Sequence, residues 1–410
     1  MNSKWTTARL KDLALINRES YSRSDGWDFV NYLDTGSITK GVIDKITLID
    51  LRHEKLPSRA RRKVAPYDII YSTVRPNQEH YGIIRHPVAN MLVSTGFVTI
   101  TAKEGVDAQY LYYYLSQPQI TTYLHAIAEQ RVSTYPALNV SDLEELPITV
   151  PPLRIQQEIG EMLSCLDAKI DINNRINENL EKQAQTIFRS WFVDFEPFRN
   201  GESIDSDLGM IPKGWRVGKL GELGTIVGGA TPRKSNKEFY EKQGIPWITP
   251  KDLSIQRTTF VSRGEVDISE KGLENSGVKL IPRGAVLFSS RAPIGYMAIA
   301  KNPLGTNQGF KSVVPLKEFG TPFIYNLLRA YLPRIQALGS GSTFKEVSGS
   351  VMRSVPVIVP DLQYVQNYNA LVQPMYDLIE TLESENQILA ALRDTLLPKL
   401  MSGEIEVPVV

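Results

Sequence analysis

The stretch PITVPPLRIQQEI (147–159) places a short apolar run before a proline step and a polar, amphipathic run after it. The same order returns 209 residues later as PVIVPDLQYVQNY (356–368). Punctuation written twice at long range marks an internal repeat, and the rest of the chain supports one. WTTARLKDLALI (5–16) matches WRVGKLGELGTI (215–226), and YDIIYSTVRP (67–76) matches GAVLFSSRAP (284–293). STGFVTI (94–100) pairs with NQGFKSVV (307–314), and RVSTYPALNV (131–140) with GSTFKEVSGS (341–350). The landmarks keep their order, so the chain reads A–B–A′–B′: 1–150, 151–204, 205–360 and 361–410.

The B segments carry the strongest periodicity. Ile159, Leu163, Leu166, Ile170, Asn173, Asn177, Leu180, Ala184 and Ile187 follow one another at alternating gaps of four and three. The offset of 209 maps them onto Tyr368, Val372, Met375, Ile379, Leu382, Asn386, Leu389, Arg393 and Leu396. A mean spacing of 3.5 keeps one stripe facing a partner helix, as in a coiled coil. Prolines at 151, 152 and 360 stand just ahead of each run, where a helix tolerates them. Asn177 and Asn386 are equivalent under the offset. In an antiparallel pair about a pseudo-dyad they are expected to meet near the centre and fix register. A helix of about 36 residues spans about 54 Å, so such a pair would act as a ruler between two similar domains.

Each A block mixes strand patterns with one helix. YDIIYSTV and MLVSTGFVTITA read as strands in the first, as do GIPWITP, AVLFSS, YMAIA and FKSVVPL in the second. Residues 107–128 predict a helix interrupted at Pro118, and 321–339 its counterpart with an internal proline, Pro333. The fold class expected is α+β: two pseudo-symmetric α/β domains separated by two long helices forming an antiparallel coiled coil.

Net charge is +1, but the balance is uneven. Residues 205–360 hold 21 basic and 12 acidic side chains, whereas 361–410 hold 2 and 8. Charge separated this way creates local fields that the total conceals. Hydrophobic residues make up 42% and no run of 18 apolar residues occurs, so a membrane partner is not expected. The N-terminal stretch has no apolar core of a secretory signal. The single cysteine, Cys165, excludes an internal disulfide and fits a reducing cytoplasm.

Catalytic constellations do not assemble. GGATPRKS (228–235) approaches a P-loop, but Arg233 stands where the pattern needs glycine. His53, His80, His86 and His125 show no metal-ligand spacing, so no metal is expected. The chain is therefore read as a binder. Candidate nucleic-acid contacts are Arg59, Arg61, Arg62 and Lys63 in the basic stretch 51–63, taken as a loop, and Arg233, Lys234, Ser235 and Asn236. Arg75 and Arg291 follow the matched strands. Arg131, Ser133, Thr134 and Tyr135 follow the first domain helix, and Ser342, Thr343 and Lys345 the second. Such side chains reach phosphates and base edges. A plain solvated loop has the same composition, and that reading stays open.

WRVGKLGELGTIVGGATP, GIPWITPKDL, LPITVPPLRIQQEI, FRSWFVDFEPF (188–198) and LLPKLMSGEI (396–405) resemble the specificity subunit of type I restriction–modification enzymes. The resemblance covers nearly the whole chain in order; its one departure is that PDLQYVQNY lacks the usual Glu-Gln. It implies two target-recognition domains, each reading half of a split double-stranded DNA site. The helices would set the gap. It further implies two modification subunits that bind S-adenosylmethionine and methylate adenine, and restriction subunits that use ATP and Mg. This chain itself would be non-catalytic and would hold no cofactor. Trp191, Phe192, Phe195 and Phe198 are too aromatic for an exposed tail; they are expected to dock on the second domain or on a modification subunit, with packing inside this chain the favoured reading. Two other classes remain open from the residues alone: a coiled-coil adaptor for protein or glycan, and a nucleotide-dependent protein using 228–235.

Overall fold

The computed structural model describes residues 5–131, 136–341 and 345–407. It divides into two compact units: Met1–Ile170 with Ile388–Val410, and Asp171–Gln387. Two long helices, Leu153–Phe192 and Leu362–Ser402, contribute a segment to each unit.

The repeated stretch proves to be a closing strand. In the first unit Pro147–Val150 pairs antiparallel with Thr6–Arg9, Val150 opposite Thr6 and Pro147 opposite Arg9. In the second, Pro356–Val359 pairs with Arg216–Lys219 in the same register. Ile148, Val150, Val357 and Val359 are buried while Pro147 and Pro356 are exposed and Thr149 and Ile358 partly so, the alternation of a half-buried strand. The prolines end each ribbon, and a long helix starts at Leu153 or Leu362.

Each unit adds two sheets; the one that begins with strand 14–16 is antiparallel throughout, and the other three each contain one parallel pair. The first has strands in the order 14–16, 97–102, 68–72, 81–84 and, separately, 47–50, 29–33, 91–94, 60–63. The second has 224–228, 311–315, 286–290, 294–300, 260–261 and 240–241, 266–268, 245–248, 305–306. Residues 51–63 are not all loop, because Ala60–Lys63 forms an edge strand against Met91–Ser94. Ala108–Leu115 stops before Pro118, which opens a separate helix to Arg131. Its counterpart Thr321–Ala337 runs on through Pro333.

A side chain from a long helix receives the start of each domain helix. Gln156 Oε1 accepts from the Asp107 amide at 3.0 Å, and Asn369 Oδ1 from the Phe323 amide at 3.1 Å. These oxygens satisfy amides at a helix start, which otherwise lack partners. Gly160 belongs to the same contact: a Cβ there would stand 2.7 Å from Asp107 Oδ1 and 3.1 Å from the Tyr110 amide, so only glycine permits the approach.

Within each unit the helix segments run antiparallel. Asp167 meets Arg393 in the first; in the second Asn173 meets Asn386, and the Ala184 carbonyl meets Tyr368. Along the seam Ile159, Leu163, Asn177, Val372, Ile379 and Leu382 are buried. Leu166, Ile170, Leu180, Met375, Asn386 and Leu389 are half-buried. The amide contact differs from the expected one. Asn173 Nδ2 donates to Asn386 Oδ1 at 2.8 Å, and Asn386 Nδ2 donates to Asn174 Oδ1 at 2.8 Å. Asn177 lies one turn further on, and its Oδ1 is buried without a partner.

The aromatic cluster at the end of the first long helix packs inside the second unit, as expected. Phe192 packs tilted against Trp215 and edge-on to Phe323, at ring distances of 5.8 and 5.1 Å. Phe195 and Phe198 flank the same indole, and Phe198 also meets Tyr364.

Candidate nucleic-acid interface

The same backbone clamp is built in both units. The central strand Asp68–Ser72 lies beside Phe97–Ala102, and its counterpart Val286–Ser290 beside Lys311–Pro315. At the end of the first, the Thr73 amide and Oγ1 both donate to the Gly96 carbonyl, at 2.9 and 3.1 Å. At the end of the second, the Ser290 amide and Oγ both donate to the Gly309 carbonyl, at 2.7 and 3.1 Å. The segment following each domain helix then docks on this hydroxyl residue. Leu138 donates its amide to Thr73 O at 2.8 Å, and Val347 to Ser290 O at 3.0 Å. These bonds make Thr73 equivalent to Ser290, Val74 to Arg291, and Leu138 to Val347.

The clamp brings together two sets of residues far apart in sequence. Arg75 sits in the left-handed region at φ 46, with its amide on the Pro136 carbonyl at 2.9 Å. It therefore stands beside Pro136, five residues past Arg131, the last residue of the helix Pro118–Arg131. Ser133, Thr134 and Tyr135 lie outside the described residues, as do Ser342 and Thr343. In the second unit Arg291 bridges Glu346, and Lys345 beside it is exposed. Arg291 Nη1 is 3.5 Å from Glu346 Oε2, and Lys311 Nζ is 3.4 Å from Oε1.

The basic strand sorts into two roles. Arg59 and Arg61 are exposed. Lys63 is held by the fold, its Nζ 2.6 Å from Asp25 and 5.5 Å over the Trp27 ring. Arg62 is half-buried with an unpartnered Nε, and burial lowers its basicity. Arg59 and Arg61 are thus available to a phosphate, whereas Lys63 is committed.

The loop 229–236 is held from below. Trp247 Nε1 donates to Ala230 O at 3.0 Å, and the Tyr240 hydroxyl to Pro232 O at 2.7 Å. Arg233, Lys234 and Ser235 point outward, while Asn236 caps the short turn Lys237–Phe239 by accepting from the Glu238 amide. That three-residue turn is not the helix a P-loop needs. Beside the loop lies a cleft of about 440 Å³ whose lining includes Lys234, Lys251, Asn307 and Gln308.

Sequence reasoning missed Lys311, Glu346, Asn307 and Gln308. Three of them stand in or beside the matched NQGFKSVV (307–314), where polar residues interrupt an otherwise apolar landmark. Among the described residues no group of three His, Cys, Asp or Glu is placed to hold a metal. None of the described helices is long and apolar enough to cross a membrane.

Two equivalent domains carry the same clamp and polar edges, the arrangement of a modular protein built by internal repetition. The family model for the type I restriction modification DNA specificity domain matches twice, over residues 2–182 and 212–394, and the chain belongs to this family. It is similar to the type I restriction enzyme HindI specificity subunit of Haemophilus influenzae, 27% identical over 98% of this chain and all of the relative. It is 39% identical to the MjaIX specificity subunit of Methanocaldococcus jannaschii, over 46% of this chain and 44% of the relative. The type I S subunit from M. genitalium shares the fold with a TM-score of 0.56 at 17% identity, covering 97% of this chain and 96% of that one. The chain is a DNA specificity subunit of the type I restriction–modification class.

Proposed function

We propose that each domain reads one half of a bipartite double-stranded DNA site, 1–150 one half and 205–360 the other. The paired helical segments 151–204 and 361–410 set the gap between the halves. The observation that carries this reading is the clamp repeated at Thr73 and Ser290. One backbone scaffold presents different side chains at equivalent points, which suits two related readers of different bases. Phosphate contacts from Arg59, Arg61, Arg75, Arg233, Lys234 and Lys345 would position the duplex, while base edges supply sequence discrimination.

The chain performs no catalytic step in this reading. Two modification subunits would bring S-adenosylmethionine, and restriction subunits ATP and Mg. The exposed apolar residues Ile172, Ile176, Leu371 and Leu378 on the long helices offer surface to the modification subunits. The complex would act in the cytoplasm, where its DNA is.

The test is to replace residues 1–150 with those of a relative of different specificity and map adenine methylation across the genome. One half of the methylated motif should change and the other persist, with the gap unaltered. A change in both halves would break the modular reading.

A further inference from the structure

The clamp positions differ between the units in one chemically pointed way. In the first unit they hold Val74, opposite Ala137 across an isolated bridge, and Val98 two residues past Gly96. In the second the equivalent places hold Arg291, opposite Glu346, and Lys311 two residues past Gly309. An apolar triad has become two cations converging on one carboxylate. The two ion pairs are long, and Glu346 keeps 37% of its side-chain exposure, so each contributes little to stability. Their place, at the clamp and next to exposed Lys345, is where the second domain would meet a phosphate.

Resting on the reading that this domain binds DNA, we propose that Glu346 is a specificity-determining residue: an internal stand-in for a DNA phosphate that holds Arg291 and Lys311. A duplex must displace the carboxylate from both cations before their charge counts toward the backbone. Non-specific binding depends almost wholly on phosphate charge, so it bears the whole cost. A correct half-site offsets that cost through contacts at base edges, where a carboxylate accepts from an exocyclic amine of cytosine. Glu346 therefore widens the gap between right and wrong sequences.

The test uses the full chain assembled with its modification subunits. Fluorescence anisotropy would measure binding to a random 30-base-pair duplex and to one carrying the methylated motif, from 50 to 300 mM salt. Glu346→Gln keeps the backbone bridge and adds one net positive charge. It should steepen the salt dependence on random duplex by about 0.9 in log–log slope, which is about eightfold tighter binding at 0.1 M salt. Affinity for the motif should rise less, so discrimination falls severalfold. Arg291→Ala/Lys311→Ala should do the reverse on random duplex, weakening binding and flattening the slope. Unchanged or weaker random-duplex binding by Glu346→Gln would overturn the proposal. So would a double variant that folds and binds as the parent does. If the parent complex shows no salt-dependent affinity for any duplex, the DNA reading itself fails.

Discussion

The two units solve one packing problem with different chemistry. In the first, Tyr113 of the domain helix donates to Asp167 Oδ2 at 2.5 Å, and Arg393 of the second long helix donates to Asp167 Oδ1 at 2.6 Å. The 209-residue offset puts Tyr376 in place of Asp167 and Ala184 in place of Arg393. The domain-helix position of Tyr113, six residues after the N-cap, is held by Asn326. There Asn326 Nδ2 donates to the Tyr376 hydroxyl at 2.7 Å, and Ala184 is fully buried. An ion pair in one unit is thus a neutral amide–phenol bond in the other. The second unit places its charges nearer its sheet: Arg329 pairs with Glu181 at 2.9 Å, and Glu383 accepts from the Thr259 and Phe260 amides. The frame is specified by shape and hydrogen-bond geometry, and the charges are free to move within it.

The aromatic cluster is the largest asymmetry. Phe192 and Met401 are equivalent, 4% exposed each, but only Phe192 joins a group of rings. Phe192→Ala should destabilise the second unit by about 3–5 kcal/mol, since a large buried ring leaves a cavity. Hydrogen exchange should show amides of 321–337 and 365–376 losing protection while 108–115 keep theirs. Equal loss in both would mean the units do not unfold separately.

Arg393→Met tests the charged solution directly. It keeps an apolar stem but strands Asp167 with only Tyr113 as partner. Both ionic side chains keep about a quarter of their exposure, 28% and 22%, so the cost falls below that of a fully buried pair. A loss of about 2 kcal/mol in the first unit is expected from leaving a half-buried charge unpaired. Asp167→Asn in the same chain should recover much of it. No recovery would mean Arg393 acts through its stem.

Much of this frame is legible in the sequence, and the reason is periodicity. The 3.5-residue stripe and the twin proline steps expose the helices and where they begin, because each pattern repeats a physical requirement over many residues; the closing strands ahead of those prolines read only as short apolar runs. What escaped has no period. Ala60–Lys63 is a strand written in basic residues, and its partners in Met91–Ser94 lie 29 to 34 residues further along the chain. The Asn386 contact moved by one turn because register depends on packing across two helices, which a spacing cannot fix. Glu346 and Lys311 met at the clamp through folding alone, 35 residues apart. Of the proposed contact residues, the basic ones were found by charge, but which of them the fold had already committed, as with Lys63, needed the structure.

Glu383 extends the comparison to pH. It is 9% exposed, and burial raises its carboxyl to about 7 against the opposing help of two backbone amides. Glu181 nearby pushes it further up and Lys301 pulls it down. A carboxyl raised in the folded state binds its proton more tightly there than when unfolded. Stability is therefore lost as pH rises from about 4.5 through 7. The second unit should be less stable at pH 8 than at pH 5.5, by on the order of 1–2 kcal/mol. Thermal melts of Glu383→Gln should lose that dependence. A parent chain equally stable at both values would show that the carboxyl titrates as it does in water.

The smallest test lies at the helix caps just beyond the clamp. Asn139 and Ser348 are equivalent, each opening the short helix after the docked segment. Ser348 Oγ accepts from the Val351 amide at 3.2 Å, so its hydroxyl is the cap. At the first site the Asp142 carboxylate reaches back to the Asn139 amide at 2.8 Å, and the asparagine side chain makes no cap bond. Ser348→Ala should cost about 1 kcal/mol and Asn139→Ala only a few tenths, measured by chemical denaturation. Each cap follows directly on the residue whose amide closes the clamp, Leu138 or Val347. A loosened cap in the second unit should therefore raise hydrogen exchange at Val347 before it is felt elsewhere. Equal costs at the two caps would mean the side chains, like the clamp backbone, are interchangeable between the domains.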